Sequence, residues 1–335
     1  MPKTIYDIAK AAGVSIATVS RVFNSMGSVK ESTRKKVLAI ADDLGYHPQA
    51  FAQGLARKKK GSIMMLVPVM SNYFFTEILR GIQDYLSPHN VELNIVNINQ
   101  GMDTYTQTEH ILKRHWADGY LLVSLHLNDK QHNLINKYQV PISLIDDSFD
   151  DFDSVSFDNV NGGYTATLYF LDKGYRKIVV LSASPTAKPI QGRLKGYKKA
   201  LEEYGIQFDE NLVITGNSIK RDGFTEQSGY QAMKKILQLD PLPEACFCMS
   251  DIKAVGAMKA MREVSMTLPV ISYDNLSISD YIGLSTVSQP MYEMGYKATK
   301  NLIHRISNKK APVSHKIYNP RLIIRSSSEI PLPKI

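Results

Sequence analysis

Ser15-Ile16-Ala17-Thr18-Val19-Ser20-Arg21-Val22-Phe23-Asn24 places three hydroxyls, one amide and one guanidinium within ten residues. On one face of a helix, such small polar groups enter the major groove of DNA, and a guanidinium pairs with two acceptors on a base edge. A second set lies far along the chain, after apolar runs: Ser124, Asp146, Phe157, Arg193, Phe224, Ser250, Asp251 and Asp274. Carboxylates, a guanidinium and aromatic rings at the carboxyl ends of strands suit a hydroxyl-rich small molecule, since charged groups take hydroxyls and a ring stacks on a C–H face.

The N-terminal set needs helices to carry it. Thr4 followed by Asp7 starts a first helix with Ile5, Ile8 and Ala9 on one face, and Gly13 ends it. Ser15 caps the second helix. Val19, Val22 and Phe23 turn inward, leaving Ile16, Ala17, Thr18, Ser20, Arg21 and Asn24 outward. A third helix is expected from Glu31 to Leu44, with Val37, Leu38, Ala41 and Leu44 inward. Lys30 precedes it and cannot cap, although Glu31 suits the helix dipole. The charge agrees: residues 1–60 hold eleven basic and four acidic side chains, so seven of the eight net positive charges sit there. A polyanion partner is therefore indicated for the N-terminus alone. Pro48 breaks the third helix. Residues 49–57 form either a flexible basic linker or a short helix that folds on DNA and inserts Leu55 into the minor groove.

From Ser62 onward, apolar strands alternate with amphipathic helices, which is the rhythm of a parallel α/β fold. Strands are expected at 62–69, 91–98, 119–125 and 140–145, with helices at 75–86 and 106–116. The pattern restarts after Gly162-Gly163, with strands at 177–181, 212–216, 245–249 and 270–272 and helices up to 173 and at 193–204, 227–239 and 254–264. Two similar halves imply a cleft between two lobes. Cys246 and Cys248, two apart on a strand, share one face and read as buried thiols. No apolar stretch reaches the ~18 residues of a membrane span and none resembles a signal peptide, so a cytoplasmic address is expected.

The chain resembles the lactose-repressor and galactose-repressor (LacI/GalR) family of transcriptional regulators. The resemblance lies in Thr4 to Asn24, Lys30 to Leu38, Leu44-Gly45-Tyr46-His47-Pro48, Asn72 to Ile78, Gly192 to Tyr197, Ser250 to Ala257, Ser272-Tyr273-Asp274-Asn275 and Ser285 to Pro290. It implies an N-terminal all-α helix-turn-helix domain at 1–46, a hinge at 47–60, and at 61–335 an effector-binding and dimerisation body. That body is periplasmic-binding-protein-like, with two doubly wound parallel-sheet lobes: an N-lobe at about 61–160 and 291–319, and a C-lobe at about 161–288 and 321–330. Ile16, Ala17 and Arg21 match base-reading positions. Tyr6, Thr18, Ser20 and Asn24 match positions that hold phosphates or neighbouring bases, and Leu55 matches the leucine that intercalates at a central CG step. Thr4, Ser15 and Tyr46 complete the DNA-facing set. The effector set is Asn72, Phe74, Phe75, Ser124, Asp146, Phe157, Arg193, Phe224, Ser250, Asp251 and Asp274, with residues 217–222 as an insertion beside it.

The resemblance implies a repressor of carbohydrate-utilisation genes, acting on a pseudo-palindromic operator as a homodimer and switched by a sugar or sugar phosphate. No leucine heptad follows the body, so a tetramer is not expected. An enzyme is the first rival, but G-x-G-x-x-G after a strand, G-x-x-x-x-G-K-[ST], H-E-x-x-H and G-x-S-x-G do not occur, and His110 and His115 have the wrong spacing for a shared metal. Neither a cofactor nor a metal is expected. An exported solute-binding protein is the second rival, against which the basic head argues. The third is a catabolite-control-type regulator with a phosphocarrier protein as corepressor, which Gln289 to Gly295 resembles.

Overall fold

The computed structural model describes residues 3–24, 29–46, 61–68, 73–99, 102–185, 187–216 and 223–330. The hinge with Leu55, Asn72, the 217–222 insertion and the last five residues lie outside the described residues.

Helices α1 (Ile5–Ala12), α2 (Ile16–Asn24) and α3 (Glu31–Asp43) form the N-terminal unit. Their core is Ile8, Ala9, Ala12, Val19, Val22, Val37 and Ala41. Thr4 and Asp7 make the reciprocal capping box, with Asp7 Oδ2 accepting from the Thr4 N–H at 2.8 Å and from Thr4 Oγ1 at 2.9 Å. These bonds hold the Asp7 carboxyl below its usual range, the backbone bond from Thr4 first. Gly13 takes the left-handed conformation, φ 66°, that ends α1. Leu38 departs from expectation and is exposed. Val37 and Ala41 occupy the inward stripe of α3, and Leu38 lies about 100° around the helix from Val37.

The body contains two six-stranded sheets. Strands β1 (Ser62–Val67), β2 (Glu92–Asn97), β3 (Gly119–Val123), β4 (Ile142–Ile145), β5 (Asp153–Phe157) and, returning late, β11 (His315–Tyr318) build the N-lobe in the order β11-β5-β4-β3-β1-β2. Strands β6 (Ile178–Ser182), β7 (Val213–Thr215), β8 (Ala245–Cys248), β9 (Val270–Asp274), β10 (Ser285–Ser288) and β12 (Arg321–Ile323) build the C-lobe in the order β12-β10-β9-β8-β6-β7. Central strands β1, β3, β6 and β8 are buried at every position. Helices cover both faces of such sheets, which is why these segments read as unbroken apolar runs. Edge strand β2 has no buried position.

The helices are α4 (Tyr73–Leu86), α5 (Thr104–Lys113), α6 (Asp129–Tyr138), α7 (Asn159–Asp172), α8 (Lys188–Glu203), α9 (Glu226–Ile236), α10 (Asp251–Glu263), α11 (Ser277–Tyr281) and α12 (Met291–Ser307). Helices α6, α11 and α12 and strands β5, β10, β11 and β12 lie outside the expected set, although Asn128 and Gln131 form the capping box of α6. Gly162 and Gly163 lie inside α7 and do not interrupt it. The chain passes between the lobes from β5 to α7, from β10 to α12 and from β11 to β12. The C-lobe sheet is parallel except at one edge, where β12 pairs antiparallel with β10. The chain leaves β11 at the cleft and has only Asn319 and Pro320 before β12. It therefore enters the second sheet from the carboxyl ends of the other strands and must run against them. Cys246 and Cys248 are buried free thiols with sulfurs 3.6 Å apart. Their mutual hydrogen bond, together with burial, pushes the Cys248 thiol well up.

Candidate DNA-reading face and effector cleft

In the N-terminal unit, α1 and α3 support α2. Ile16, Ala17 and Arg21 are exposed on one face of α2, while Val19 and Val22 anchor the other. The Ser15 Oγ accepts from the Thr18 N–H at 3.1 Å and lies 2.9 Å from Thr18 Oγ1. Both hydroxyls thus order the start of the helix while remaining at its surface. Tyr6 is exposed at the start of α1, beside the Thr4 cap, and Ser20 is partly exposed on α2. Asn24 is the last residue of α2. Tyr46 is half-buried: its ring packs against Phe23, centroids 5.7 Å apart, at the edge of the unit's core.

In the body, the carboxyl ends of β3, β4 and β9 meet the amino end of α8. Ser124, His126, Asp146, Asp274 and Asn275 all have positive φ, from 48° to 118°. Left-handed backbone outside glycine is costly, and here it concentrates at the cleft. On the N-lobe side, Ser124 Oγ donates to Asp146 Oδ2 at 2.8 Å, with His126 Nε2 at 4.0 Å from the same oxygen. Burial pushes the Asp146 carboxyl up, against the pull of His126, Ser124 and Arg193.

On the C-lobe side, Arg193 is only 4% exposed. Its Nε donates to Asn159 Oδ1 at 3.0 Å and its Nη1 to the Met249 carbonyl. The guanidinium lies over the Tyr273 ring, 3.6 Å from the centroid. Asp274 is 3.9 Å from Arg193 Nη2 and accepts from Gln289 Nε2 at 2.7 Å. Burial pushes Asp274 up to about 7 despite Arg193. The guanidinium is too far for a hydrogen bond and already committed elsewhere, so desolvation wins. Phe157 closes the floor edge-on to Tyr273, with centroids 5.9 Å apart. Phe74 and Phe224 are half-buried against the core, and Phe75 is in the core with its ring edge-on to Phe74.

Two further expected cleft residues lie elsewhere. Asp251 is fully buried. One of its oxygens accepts from Ser272 and Thr286, the other from Ser279 and the Leu276 N–H. Ser250 is buried, and its Oγ caps α10 through the Lys253 N–H. Both hold the C-lobe together and offer no polar atom to a ligand. Residues not anticipated in the cleft are His126, Asp147, Asn159, Lys188, Tyr273 and Gln289. Lys188 Nζ reaches Asp147 Oδ1 at 3.2 Å, joining the amino end of α8 in the C-lobe to the loop after β4 in the N-lobe. A lysine in the first turn of a helix opposes the helix dipole, which was the available sequence signal for a partner.

Residues 4–49 match the family described as bacterial regulatory proteins, lacI family, and residues 167–328 match the periplasmic binding protein-like domain. The transcriptional regulator RegA of Clostridium saccharobutylicum is 34% identical over 339 residues, spanning 98% of this chain and 100% of that one. The catabolite control protein A of Priestia megaterium is 32% identical over 340 residues, again spanning 98% and 100%. Among solved structures, a Lac repressor dimer bound to operator and the anti-inducer ONPF is similar with a TM-score of 0.82. It is 25% identical, spanning 98% of this chain and 99% of that one. No helix among the described residues is long and apolar enough to cross a membrane.

Proposed function

The chain belongs to the lacI family of bacterial regulatory proteins, and we propose that it is a cytoplasmic repressor of carbohydrate-utilisation genes whose operator affinity is set by a sugar or sugar phosphate held between its lobes. As a member of that family it is a DNA-binding transcriptional regulator and not an enzyme. Ile16, Ala17 and Arg21 read bases; Thr4, Tyr6, Ser15, Thr18, Ser20 and Asn24 hold the backbone around them. Leu55 wedges the minor groove at the centre of a two-fold operator, to which a homodimer is matched.

The observation that carries the effector assignment is the opposition of Asp146 with Ser124 on one lobe to Arg193 with Asp274 on the other, over the Phe157 and Tyr273 rings. A hydroxyl donor bridging Asp146 and Asp274 rewards one lobe arrangement over another. Only such a difference in affinity shifts an equilibrium. A coupling of ~1–3 kcal/mol changes operator affinity ~5–150-fold.

The test is fluorescence anisotropy on a labelled palindromic operator with a central CG step, titrated with a panel of mono- and disaccharides and their phosphates. One compound is expected to shift the affinity in wild type and to lose that effect in Arg193→Ala. A normal response in Arg193→Ala would place the effector elsewhere. A second arm adds a phosphorylated phosphocarrier protein. The likeness to catabolite control protein A favours that corepressor if no sugar acts.

A further inference from the structure

Lys253, the third residue of α10, is wholly buried. The other inward residues of its helix are Asp251, Ala254, Gly256, Ala257, Ala260 and Met261, and the Asp251 oxygens are already taken by Ser272, Ser279, Thr286 and the Leu276 N–H. An ammonium group in such surroundings is expensive to keep charged, and burial brings its pKa down to about 8. Yet the side chain is held by two directed bonds. Its Nζ donates to the Gly223 carbonyl at 2.9 Å and to Ser228 Oγ at 2.8 Å.

Those two acceptors bracket Phe224. Gly223 comes directly before it, and Ser228 lies in the first turn of α9, whose N-cap is Thr225. The Ser228 N–H donates to Thr225 Oγ1 at 3.1 Å, so the hydroxyl that meets Lys253 belongs to a turn already fixed by its cap. The far end of the lysine is equally fixed. Helices α9 and α10 cross backbone to backbone: a Cβ on Gly229 would stand 2.0 Å from the Lys253 carbonyl, and one on Gly256 would stand 1.9 Å from the Glu226 carbonyl. The end of β7 rests on the same turn, because a Cβ on Gly216 would stand 2.2 Å from the Ser228 carbonyl.

We propose that Lys253 is a positioning residue for the effector cleft: its ammonium ties the turn 223–228 to α10 and thereby sets where the Phe224 ring stands. This rests on the assignment of the cleft as the effector site. Methionine would fill a similar volume without a buried charge, so the lysine trades stability for a held turn. A plain core contact has the opposite signature, because removing it loosens and destabilises together.

The full-length protein tests this without any ligand. In Lys253→Met, amide hydrogen exchange over 223–229 should quicken roughly tenfold, with the melting temperature unchanged or raised. Ser228→Ala, which deletes one acceptor and no charge, should quicken the same amides. Unchanged protection at 223–229 in both variants overturns the proposal. So does a fall of more than ~5 °C with protection lost across the C-lobe strands, which marks a general core contact. The saccharide panel then separates the two inferences. If a saccharide acts, half-response in Lys253→Met should need at least about fivefold more of it, and an unchanged half-response overturns the link to the cleft. If no compound acts on wild type, the effector assignment fails, while the exchange result still decides whether Lys253 holds the turn.

Discussion

Asp274 keeps its proton to about pH 7 in the folded chain, whereas an unperturbed aspartate releases it near 3.8. Between those values the folded state binds more protons than the unfolded one, so this contribution to stability declines as pH rises through the window. Asp274→Asn removes the slope. Its melting temperature should exceed that of wild type at pH 8 and lose the advantage at pH 4, with a difference on the order of a few kcal/mol at most. Parallel pH dependence in the two proteins would show that Asp274 ionises freely. At the other end of the chain, Arg21 is exposed and fixed by a helix whose opposite face is locked by Val19 and Val22. Arg21→Ala should lose ~1–3 kcal/mol of discrimination between operator and scrambled DNA, measured as the ratio of the two dissociation constants. An equal loss on both DNAs would make Arg21 a phosphate contact.

Among the elements, helix pairs approach through reciprocal glycines. For α7 and α8, a Cβ on Gly163 would stand 2.0 Å from the Arg193 carbonyl, and one on Gly196 would stand 1.9 Å from the Val160 carbonyl. Backbone cannot yield there as a flexible side chain could. Gly196→Ala should therefore destabilise by ~1–3 kcal/mol or more, read from urea unfolding. It should also weaken the effector response, because α8 carries Arg193. Retained stability would mean that the helices can part without consequence. These elements were largely legible beforehand. Caps such as Thr4 with Asp7, the stop at Gly13 and the apolar runs of β1, β3 and β6 act within a few residues of chain. Helix α6 was overlooked although its capping box is written in Asn128 and Gln131, and the direction of β12 depends on which end of a sheet the chain re-enters.

For the whole molecule, the lobes are joined by Lys188 and Asp147 across the cleft. The Lys188 side chain is 51% exposed and that of Asp147 only 7%. Such a pair contributes no more than ~1 kcal/mol, but a lobe equilibrium is sensitive on that scale. Lys188→Ala should shift the half-effective saccharide concentration ~2–5-fold at low salt and hardly at all near 1 M, where screening has already removed the attraction. A shift that persists in high salt would point to packing of the lysine stem. Charge segregation, turn chemistry and strand rhythm were readable because each is set by neighbours in the chain or by bulk count. The roles of the acids were not. Asp251 and Asp274 both follow apolar strand-forming runs and look alike in one dimension. Hydroxyls from residues 21 to 35 positions away consume both oxygens of Asp251, whereas Asp274 is left with Gln289 and a distant guanidinium. Which carboxylate is spent on the fold and which is left for a ligand depends on contacts that exist only once the strands have been brought side by side.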